Sequence, residues 1–341
     1  MSLGADAPNR TGPHSDAGGR PMQLWSDDIE KERAEARAAV AGGIEAFREY
    51  LGPTKEPTST DPLRIALERR EHMAKRFVVL AEGSEREIAG VPCRVFLPDG
   101  PPKGVYLHFH GGGMITGAAV MNDISNRELA RSHGLAVVSV DYRLAPEHPF
   151  PAGPDDGVAV AAWLLENAER ELGSARLLTG GESAGGYMAA AVLLRVRDEL
   201  RAIERFAGAN LVFGVYDFGR SPSQRGLRPH DGPDVLDPAA IRFFSDCYLP
   251  GRTDDERRDP SISPAFANLR GLPPARMSVG TTDHLLDDTL MLASRWAAAG
   301  SEVELFVAPD MPHGFMFFPC AISRRWAEET DRWFARILAR G

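Results

Sequence analysis

The feature that most constrains the fold of this chain is a regular alternation of short apolar runs with longer amphipathic segments. Most of the short runs are continuously apolar, as expected for strands that are buried on both faces of a sheet. Strands that alternate with helices form a mostly parallel sheet covered by helices on both sides, so we predict an α/β protein. The strands are predicted at 105–110, 135–142, 175–181, 206–214, 275–280 and 303–309, and the helices at 122–133, 155–170, 184–201, 284–299 and 321–339.

Two helices and a β-hairpin are predicted before this alternation begins. Apolar residues at helical spacing mark 27–51 and about 61–76, with a break or bend at the glycine pair 42–43 of the first helix. The apolar runs 78–81 and 91–98 are separated by turn residues and predict the hairpin.

Residues 215–272 interrupt the alternation, and they are rich in Pro, Arg, Asp and Gly. A long excursion of this kind inside an α/β domain is normally a functional insertion such as a lid. The predicted organisation is a disordered N-terminus (1–20), N-terminal cap helices (21–75), an α/β core in two parts (76–214 and 273–341) and a cap insertion (215–272).

Composition and charge narrow the class of partner. The chain has 341 residues, 43% of them apolar, which suffices for a large buried core. Its formal net charge of −9 disfavours nucleic acid and anionic membrane surfaces. Cys93, Cys247 and Cys320 are widely spaced, which is typical neither of a disulfide framework nor of a zinc site. Since there is no apolar run of roughly 18 residues and no sign of a signal peptide, we expect a cytoplasmic protein without membrane insertion.

The segment GESAG at 181–185 follows the predicted strand 175–181 and precedes a helix. A G-x-S-x-G pattern requires this context, because the tight turn lifts the serine hydroxyl above the sheet edge. Gly181 and Gly185 allow the turn to close without Cβ clashes. A random chain of this composition would contain the pattern roughly one time in five. The context, rather than the pattern, therefore makes Ser183 the candidate nucleophile.

A glycine run, His110-Gly111-Gly112-Gly113, follows the predicted strand 105–110. Such a run can be only a flexible loop, but its unobstructed N–H groups can also bind the oxygen of a tetrahedral intermediate. The glycine run and the serine turn, each after a strand and in this order, together indicate acyl transfer.

The general base is sought downstream of Ser183, because the triad of this fold occurs in the order Ser, acid, His. His230 lies in the irregular insertion, and the side chain of His284 at the start of a helix would diverge from the site. His313 follows the predicted strand 303–309 and is the candidate base.

The acid should follow the preceding strand. Asp283 does so, whereas Asp287 and Asp288 lie a turn further on, where carboxylates favour the N-terminus of a helix. Asp283 is therefore the candidate acid.

A metal site is the competing interpretation of these residues. His108 and His110 form an H-x-H pair, to which Asp283 and His313 could add ligands from other strand ends. The glycine run and the serine turn would then have no function, so we expect no metal and no cofactor.

Several segments together resemble the hormone-sensitive-lipase-like branch of the α/β hydrolases, also called the α/β-hydrolase fold-3 family, which holds many bacterial esterases. They are HFHGGGM (108–114), DYRLAPEHPFPA (141–152), GESAGG (181–186), GTTDHLLDD (280–288) and PHGF (312–315). The resemblance implies an eight-stranded, mostly parallel sheet under a helical cap, which is built from the N-terminal segment and an insertion.

The resemblance also implies roles for residues around the serine. Gly112, Gly113 and Ala184 would supply the N–H groups of the oxyanion hole. Gly111 would shape the loop, and His110 would tie it down by hydrogen bonds of its side chain.

The sequence departs from the pattern of this family at two positions. Glu182, which we expect to support the loop, stands where one common branch has Asp, and His284 is unusual beside the acid. Neither change removes a catalytic group. The resemblance assigns structural roles to Asp141, Arg143 and Glu147.

The predicted function is hydrolysis of small esters through an acyl-enzyme. The resemblance implies short-to-medium acyl chains, about C2 to C8. Amide, lactone and carbamate hydrolysis use the same groups and stay alternatives, as does a non-catalytic member of the fold that binds small ligands. Trp25, Tyr216, Phe218, Phe243 and Phe244 are candidates to line the substrate pocket, or equally to form the core of the cap. A homodimer is common in this family, but the sequence does not reveal the oligomeric state.

Overall fold

The computed structural model describes residues 23–51, 59–228 and 231–340, so the predicted disordered segment 1–20 and His230 lie outside the described residues. Eight strands form its central sheet. They are β1 (Ser84–Ile88), β2 (Val91–Phe96), β3 (Gly104–Phe109), β4 (Leu135–Val140), β5 (Leu177–Glu182), β6 (Phe206–Val212), β7 (Ala275–Gly280) and β8 (Val303–Ala308).

The order of the strands is β1-β2-β4-β3-β5-β6-β7-β8. Strands β1, β2 and β4 pair antiparallel, and every pair from β4 onward across the sheet is parallel. The α/β fold with a mostly parallel sheet is therefore confirmed. Strands β3, β4 and β7 are buried along their whole length, which explains why their sequences are mostly apolar.

Helices precede the sheet, cover both of its faces and occur within the insertion. They are α1 (Asp27–Leu51), α2 (Pro62–Ala74), α3 (Asp123–His133), α4 (Ala152–Leu172), α5 (Ala184–Arg195), α6 (Pro238–Tyr248), α7 (Leu286–Ala298) and α8 (Ala321–Ala339). Helix α5 is shorter than predicted because the chain continues from Val196 to Leu200 as a wider π-helical turn.

The predicted break in the first helix is wrong. Helix α1 runs unbroken through the glycine pair 42–43. A Cβ atom at Gly43 would lie 3.2 Å from the ring of Phe318, so a small residue lets the helix approach the rest of the protein closely. Packing of this kind outweighs the low helix propensity of glycine.

The predicted hairpin exists, but the predicted position of its first strand is wrong. Strand β1 begins at Ser84, and residues 78–81 are not a strand. The backbone of Leu80 is bonded to side chains instead, since its N–H donates to Asp123 at 3.0 Å and its carbonyl accepts from Arg94 at 3.0 Å. Val79 is 68% exposed, so this apolar run does not mark a buried strand.

The two helices of the segment predicted as the N-terminal part of the cap are tied to the core by charged side chains. On α1, Arg33 and Arg37 bind the carboxylate of Asp310 at 2.8 and 2.6 Å. On α2, Arg70 donates to the carbonyl of Ile115 at 2.7 Å and pairs with Glu147 at 2.7 Å. These contacts place both helices beside loops that leave the carboxyl edge of the sheet.

The insertion meets the N-terminal helices. Arg48 of α1 donates to the carbonyl of Asp234 at 2.7 Å, and the guanidinium of Arg69 on α2 lies 5.7 Å from the ring of Phe244 on α6. That 21–75 and 215–272 act as one cap stays a prediction. Within the described part of the chain, no helix is long and apolar enough to span a membrane.

Replacing Asp123 with Ala should lower the free energy of unfolding by about 3–5 kcal/mol, since the buried Arg94 guanidinium loses its charged partner. Urea unfolding followed by circular dichroism measures the change. Glu85→Ala is the matched control, because Glu85 faces Arg94 at 3.9 Å but is exposed, so its loss should cost less than about 1 kcal/mol. Equal losses for the two variants would contradict this account.

Candidate active site

The serine turn is packed against the carboxyl end of β3. Ser183 has φ of +56° between β5 and α5, and its N–H donates to the carbonyl of Val212 at 2.9 Å. A Cβ atom at Gly181 or Gly185 would lie 2.1 or 1.9 Å from the carbonyl oxygen of Phe109. Both glycines are therefore required by close backbone approach, and the strained serine is held in place by its surroundings.

Ser183, His313 and Asp283 form one chain of hydrogen bonds. The Nε2 atom of His313 lies 3.0 Å from Oγ of Ser183, and its Nδ1 atom lies 2.8 Å from Oδ2 of Asp283. The carboxylate of Asp283 is buried and accepts a second bond, from the N–H of Leu285 at 2.8 Å. The ring of Phe213 lies 4.6 Å from that of His313 and flanks it.

The loops that carry the acid and the base are bonded to each other. The N–H of Thr281 donates to the carbonyl of Ala308 at 2.9 Å, and that of Thr282 donates to the carbonyl of Met311 at 3.1 Å. A Cβ atom at Gly280 would lie 2.0 Å from the same Met311 oxygen. The separation of Asp283 and His313 is thus fixed by backbone contacts rather than by their side chains alone.

The glycine run forms a tight loop beside Ser183. Gly112 and Gly113 have φ of +121° and +62°, and the carbonyl of Gly112 accepts from the N–H of Thr116 at 2.9 Å. Among the described residues, the N–H groups of Gly112, Gly113 and Ala184 donate to no protein acceptor. These are the three groups expected to form an oxyanion hole. Gly111 packs against the serine turn, since a Cβ there would lie 3.1 Å from the Glu182 carbonyl oxygen.

His110 lies under this loop. Its Nδ1 atom donates to the carbonyl of Gly111 at 2.7 Å, and its ring stacks on Tyr142 with centroids 4.2 Å apart. The hydroxyl of Tyr142 donates in turn to the carbonyl of His110 at 2.8 Å. Burial lowers the pKa of His110 to about 4, so its ring is neutral near pH 7.

Glu182 lies on the other side of the turn. Its Oε2 atom is 3.4 Å from Nε2 of His108 and 3.3 Å from Nδ2 of Asn122. His108 is further held by Ser139 at 2.8 Å. The two histidines of the H-x-H pair thus have separate protein partners. Within the described residues, no three His, Cys, Asp or Glu side chains are grouped so that they could hold a metal ion.

The predicted pocket aromatics separate into two groups. Tyr216 and Phe218 have no exposed surface, which agrees with the second of their two predicted alternatives, a place in a core rather than in the lining of a pocket. Phe218 packs edge-on against Tyr187 at 4.9 Å, and the Tyr216 hydroxyl lies beneath α5, 3.1 Å from where a Cβ on Gly186 would stand. Phe218 and Tyr216 therefore belong to the core on which the insertion rests.

Phe244 lies directly on the glycine loop. A Cβ atom at Gly113 would be 2.5 Å from its ring, and Phe243 packs edge-on against it with centroids 6.1 Å apart. Both rings are half-buried. Trp25 is half-buried at the start of α1, where its Nε1 atom donates to Glu30 at 2.7 Å. Of the aromatic residues predicted to line the pocket, Phe244 is thus the one that contacts the glycine run directly.

The carboxylates rejected as triad acids organise the insertion. Asp288 is fully buried, and one of its oxygens accepts the N–H groups of Tyr216 and Asp217, each at 2.8 Å. Burial raises its pKa to about 7. Asp287 accepts the N–H of Ser223 at 2.8 Å.

His284 turns away from the acid, as the sequence predicted. Its Nδ1 atom lies 2.7 Å from the carbonyl of Ser223, and its Nε2 atom lies 2.8 Å from Asp234. Arg228 pairs with the same Asp234 at 2.9 Å and donates to the carbonyl of Thr282. His284 therefore connects the acid-bearing loop to the insertion.

Comparison with known proteins shows the family of this chain. Residues 106–317 match the family model of the alpha/beta hydrolase fold. Carboxylesterase NlhH of Mycobacterium tuberculosis is 34% identical, over 87% of this chain and 90% of that protein. This chain belongs to the α/β-hydrolase family.

Further comparisons place it more closely within the α/β hydrolases. Esterase LipI of Mycobacterium tuberculosis is 36% identical, over 69% of this chain and 72% of that protein. The crystal structure of a hormone-sensitive lipase from a metagenome library superposes with a TM-score of 0.74 at 30% identity, covering 88% of this chain and 98% of that one. The protein is a carboxylester hydrolase of the hormone-sensitive-lipase-like branch.

Sequence reasoning missed two residues of this α/β hydrolase, Phe213 beside His313 and Arg70 on the loops that follow β3 and β4. Phe213 directly follows β6, and the rule that ligands bind at the carboxyl ends of parallel strands could have singled it out. Arg70, which donates to the carbonyls of Ile115 and Ala145, carries no signal in the sequence, because nothing local distinguishes it from other arginines of a charged helix.

Replacing Gly112 with Ala should lower kcat about 10²–10³-fold with a smaller change in KM, because a Cβ 2.2 Å from the Thr116 carbonyl oxygen displaces the glycine run, whose N–H groups we expect to bind the oxyanion. Steady-state kinetics with p-nitrophenyl butyrate as substrate measures both constants. Gly90→Ala is the matched control, since Gly90 has φ of +79° but open space around it. That variant should lose stability and keep its kcat, whereas equal kcat losses would contradict a role of the Gly112 loop.

Proposed function

We propose that this carboxylester hydrolase cleaves small esters of short-to-medium acyl chains through Ser183, with His313 as base and Asp283 as its orienting acid. The single observation that carries the proposal is the hydrogen-bonded chain of these three side chains next to three unbonded N–H groups. The nucleophile, the base and the donors for the developing oxyanion are thereby available at one point.

In the first step, the Ser183 oxygen attacks the ester carbonyl while Nε2 of His313 takes the hydroxyl proton. The carbonyl oxygen becomes an oxyanion, which accepts hydrogen bonds from the N–H groups of Gly112, Gly113 and Ala184. The bond to the alcohol oxygen then breaks, and the alcohol leaves with the proton held by His313. The product of this half-reaction is an acyl ester of Ser183.

In the second step, water attacks the acyl-enzyme, and His313 takes a proton from that water. Collapse of the second tetrahedral intermediate breaks the bond to the Ser183 oxygen, which recovers its proton from His313. Asp283 keeps the proton on Nδ1 of His313 in both steps and stabilises the imidazolium as it forms. The carboxylic acid is released without any cofactor.

The aromatic rings of Phe243 and Phe244 above the glycine run limit the size of the substrate. Phe244 touches Gly113, and Phe243 packs against Phe244, so bulky side chains take up space next to the predicted oxyanion hole. A narrow site of this kind favours short acyl chains. We extend the proposal to a cytoplasmic enzyme with no nucleic-acid partner. The net charge of −9 supports the second part, because it repels the phosphates of nucleic acids.

A fluorophosphonate probe should label Ser183, and Ser183→Ala should abolish both the labelling and the hydrolysis of p-nitrophenyl butyrate. Mass spectrometry of the labelled peptide identifies the modified residue. Ser125→Ala, which removes an exposed hydroxyl on α3, is the control and should leave labelling and rate unchanged. Folded protein that hydrolyses no ester and remains unlabelled would instead favour a non-catalytic ligand-binding function.

Profiling p-nitrophenyl esters of increasing acyl length should give a maximum of kcat/KM between about C2 and C8. Phe244→Ala should move this maximum to longer chains, because it removes the ring that rests on Gly113. Phe266→Ala, a half-buried phenylalanine elsewhere in the insertion, should leave the maximum unchanged. A maximum at C12 or beyond in the unaltered protein would overturn the proposed chain length.

A further inference from the structure

Arg69 of α2 lies over the aromatic ring that covers the oxyanion-hole loop. Its guanidinium carbon is 5.7 Å from the centroid of the Phe244 ring, and that ring rests directly on Gly113. The side chain is half-buried. A positive charge is thus held one ring's width from the place where the ester carbonyl would bind.

The other arginines of this helix have partners. Arg64 pairs with Glu68 at 3.2 Å and Arg70 pairs with Glu147 at 2.7 Å. Both carboxylates are partly exposed. Arg69, in contrast, makes no hydrogen bond and no ion pair within the described part of the chain, and its guanidinium lies over the face of the Phe244 ring.

The lack of a hydrogen-bonded partner for Arg69 among the residues that the structure describes is costly. Its burial lowers its pKa, and the carboxylate of Asp237 offsets this only in part. The Asp237 carboxylate is occupied in capping α6, where it accepts the N–H of Ala240 at 2.7 Å. A cation withdrawn from water without a hydrogen-bonded partner destabilises the protein, and an aromatic face compensates this only partly. Such a group is a candidate to bind an anion that is absent from the protein itself.

We propose that Arg69 is a specificity-determining residue that binds a carboxylate on the substrate, so that the preferred esters are anionic, such as monoesters of dicarboxylic acids. The proposal rests on the proposed function and names its substrate class. The planar guanidinium can bind a carboxylate through two parallel hydrogen bonds. Because the Phe244 ring separates Arg69 from Gly113, the carboxylate must lie several bonds from the scissile carbonyl.

Two pairs of esters test this proposal. The two members of each pair differ only in that a terminal methyl group of the first is replaced by a carboxylate in the second. Ethyl butyrate and monoethyl succinate place the charge on the acyl side, and propyl acetate and 3-acetoxypropanoate place it on the alcohol side. A pH-stat measures kcat/KM for all four. We expect Arg69→Met to lower kcat/KM for the anionic member of at least one pair by about 10- to 100-fold. The neutral members should change by less than about threefold.

Two variants distinguish direct binding of the carboxylate by Arg69 from a general effect of positive charge on α2. Arg64→Met removes the same charge from the same helix at an exposed position, and it should leave all four rates unchanged. Arg69→Lys keeps the charge but loses the bidentate geometry, so it should recover part of the lost rate on the anionic ester. Thermal unfolding checks that each variant is folded.

An equal loss on the neutral and anionic esters would overturn the proposal, since Arg69 would then only hold Phe244 in position. Unchanged rates on both anionic esters would overturn it as well. Hydrolysis of ethyl butyrate by the unaltered protein keeps the proposed function intact in either case, whereas no hydrolysis of any ester would reject that function itself. If Arg69→Met does not fold, inhibition of the unaltered enzyme decides, because succinate must inhibit ethyl butyrate hydrolysis more strongly than butyrate does.

Discussion

The site depends on one steric constraint, the close approach of the serine turn to the carboxyl end of β3. The carbonyl of Phe109 occupies the positions that Cβ atoms of Gly181 and Gly185 would take. This contact sets the height of Ser183 above the sheet and also brings Gly111 against the backbone of Glu182. Ser183 and the glycine run are therefore positioned relative to each other by backbone packing, which few side-chain changes can disturb.

The remaining groups are positioned by the parallel sheet itself. Strands β7 and β8 are neighbours, so the loops that follow them lie side by side and exchange backbone hydrogen bonds. Asp283 and His313 are far apart in the chain yet meet at 2.8 Å for this reason. A fold that brings strand ends together makes such a site available, and the side chains on the loops decide its chemistry.

The sheet and the candidate triad could be predicted because their signals are local. Continuous apolar runs mark the buried strands, and Ser183, Asp283 and His313 each follow one of them. The failures have a common cause in tertiary contacts. The run 78–81 is apolar but is bonded through side chains of Asp123 and Arg94, which lie far from it in the sequence.

Aromatic side chains in the insertion show the same limit. The composition of 215–272 cannot distinguish Tyr216, which lies under α5, from Phe244, which lies on Gly113. The difference arises from the direction of the chain after β6, which Asp288 fixes by accepting the N–H groups of Tyr216 and Asp217. Contacts between distant segments of this kind leave no periodic pattern in the sequence.

The anchoring of α1 has a consequence for how such enzymes can diversify. Arg33 and Arg37 bind Asp310, which belongs to the same loop as His313. The N-terminal helix and the loop that carries the proposed base are therefore joined by ion pairs and are not independent of each other. A helix transplanted from a relative would keep these ion pairs only if the loop at 309–314 were transferred with it.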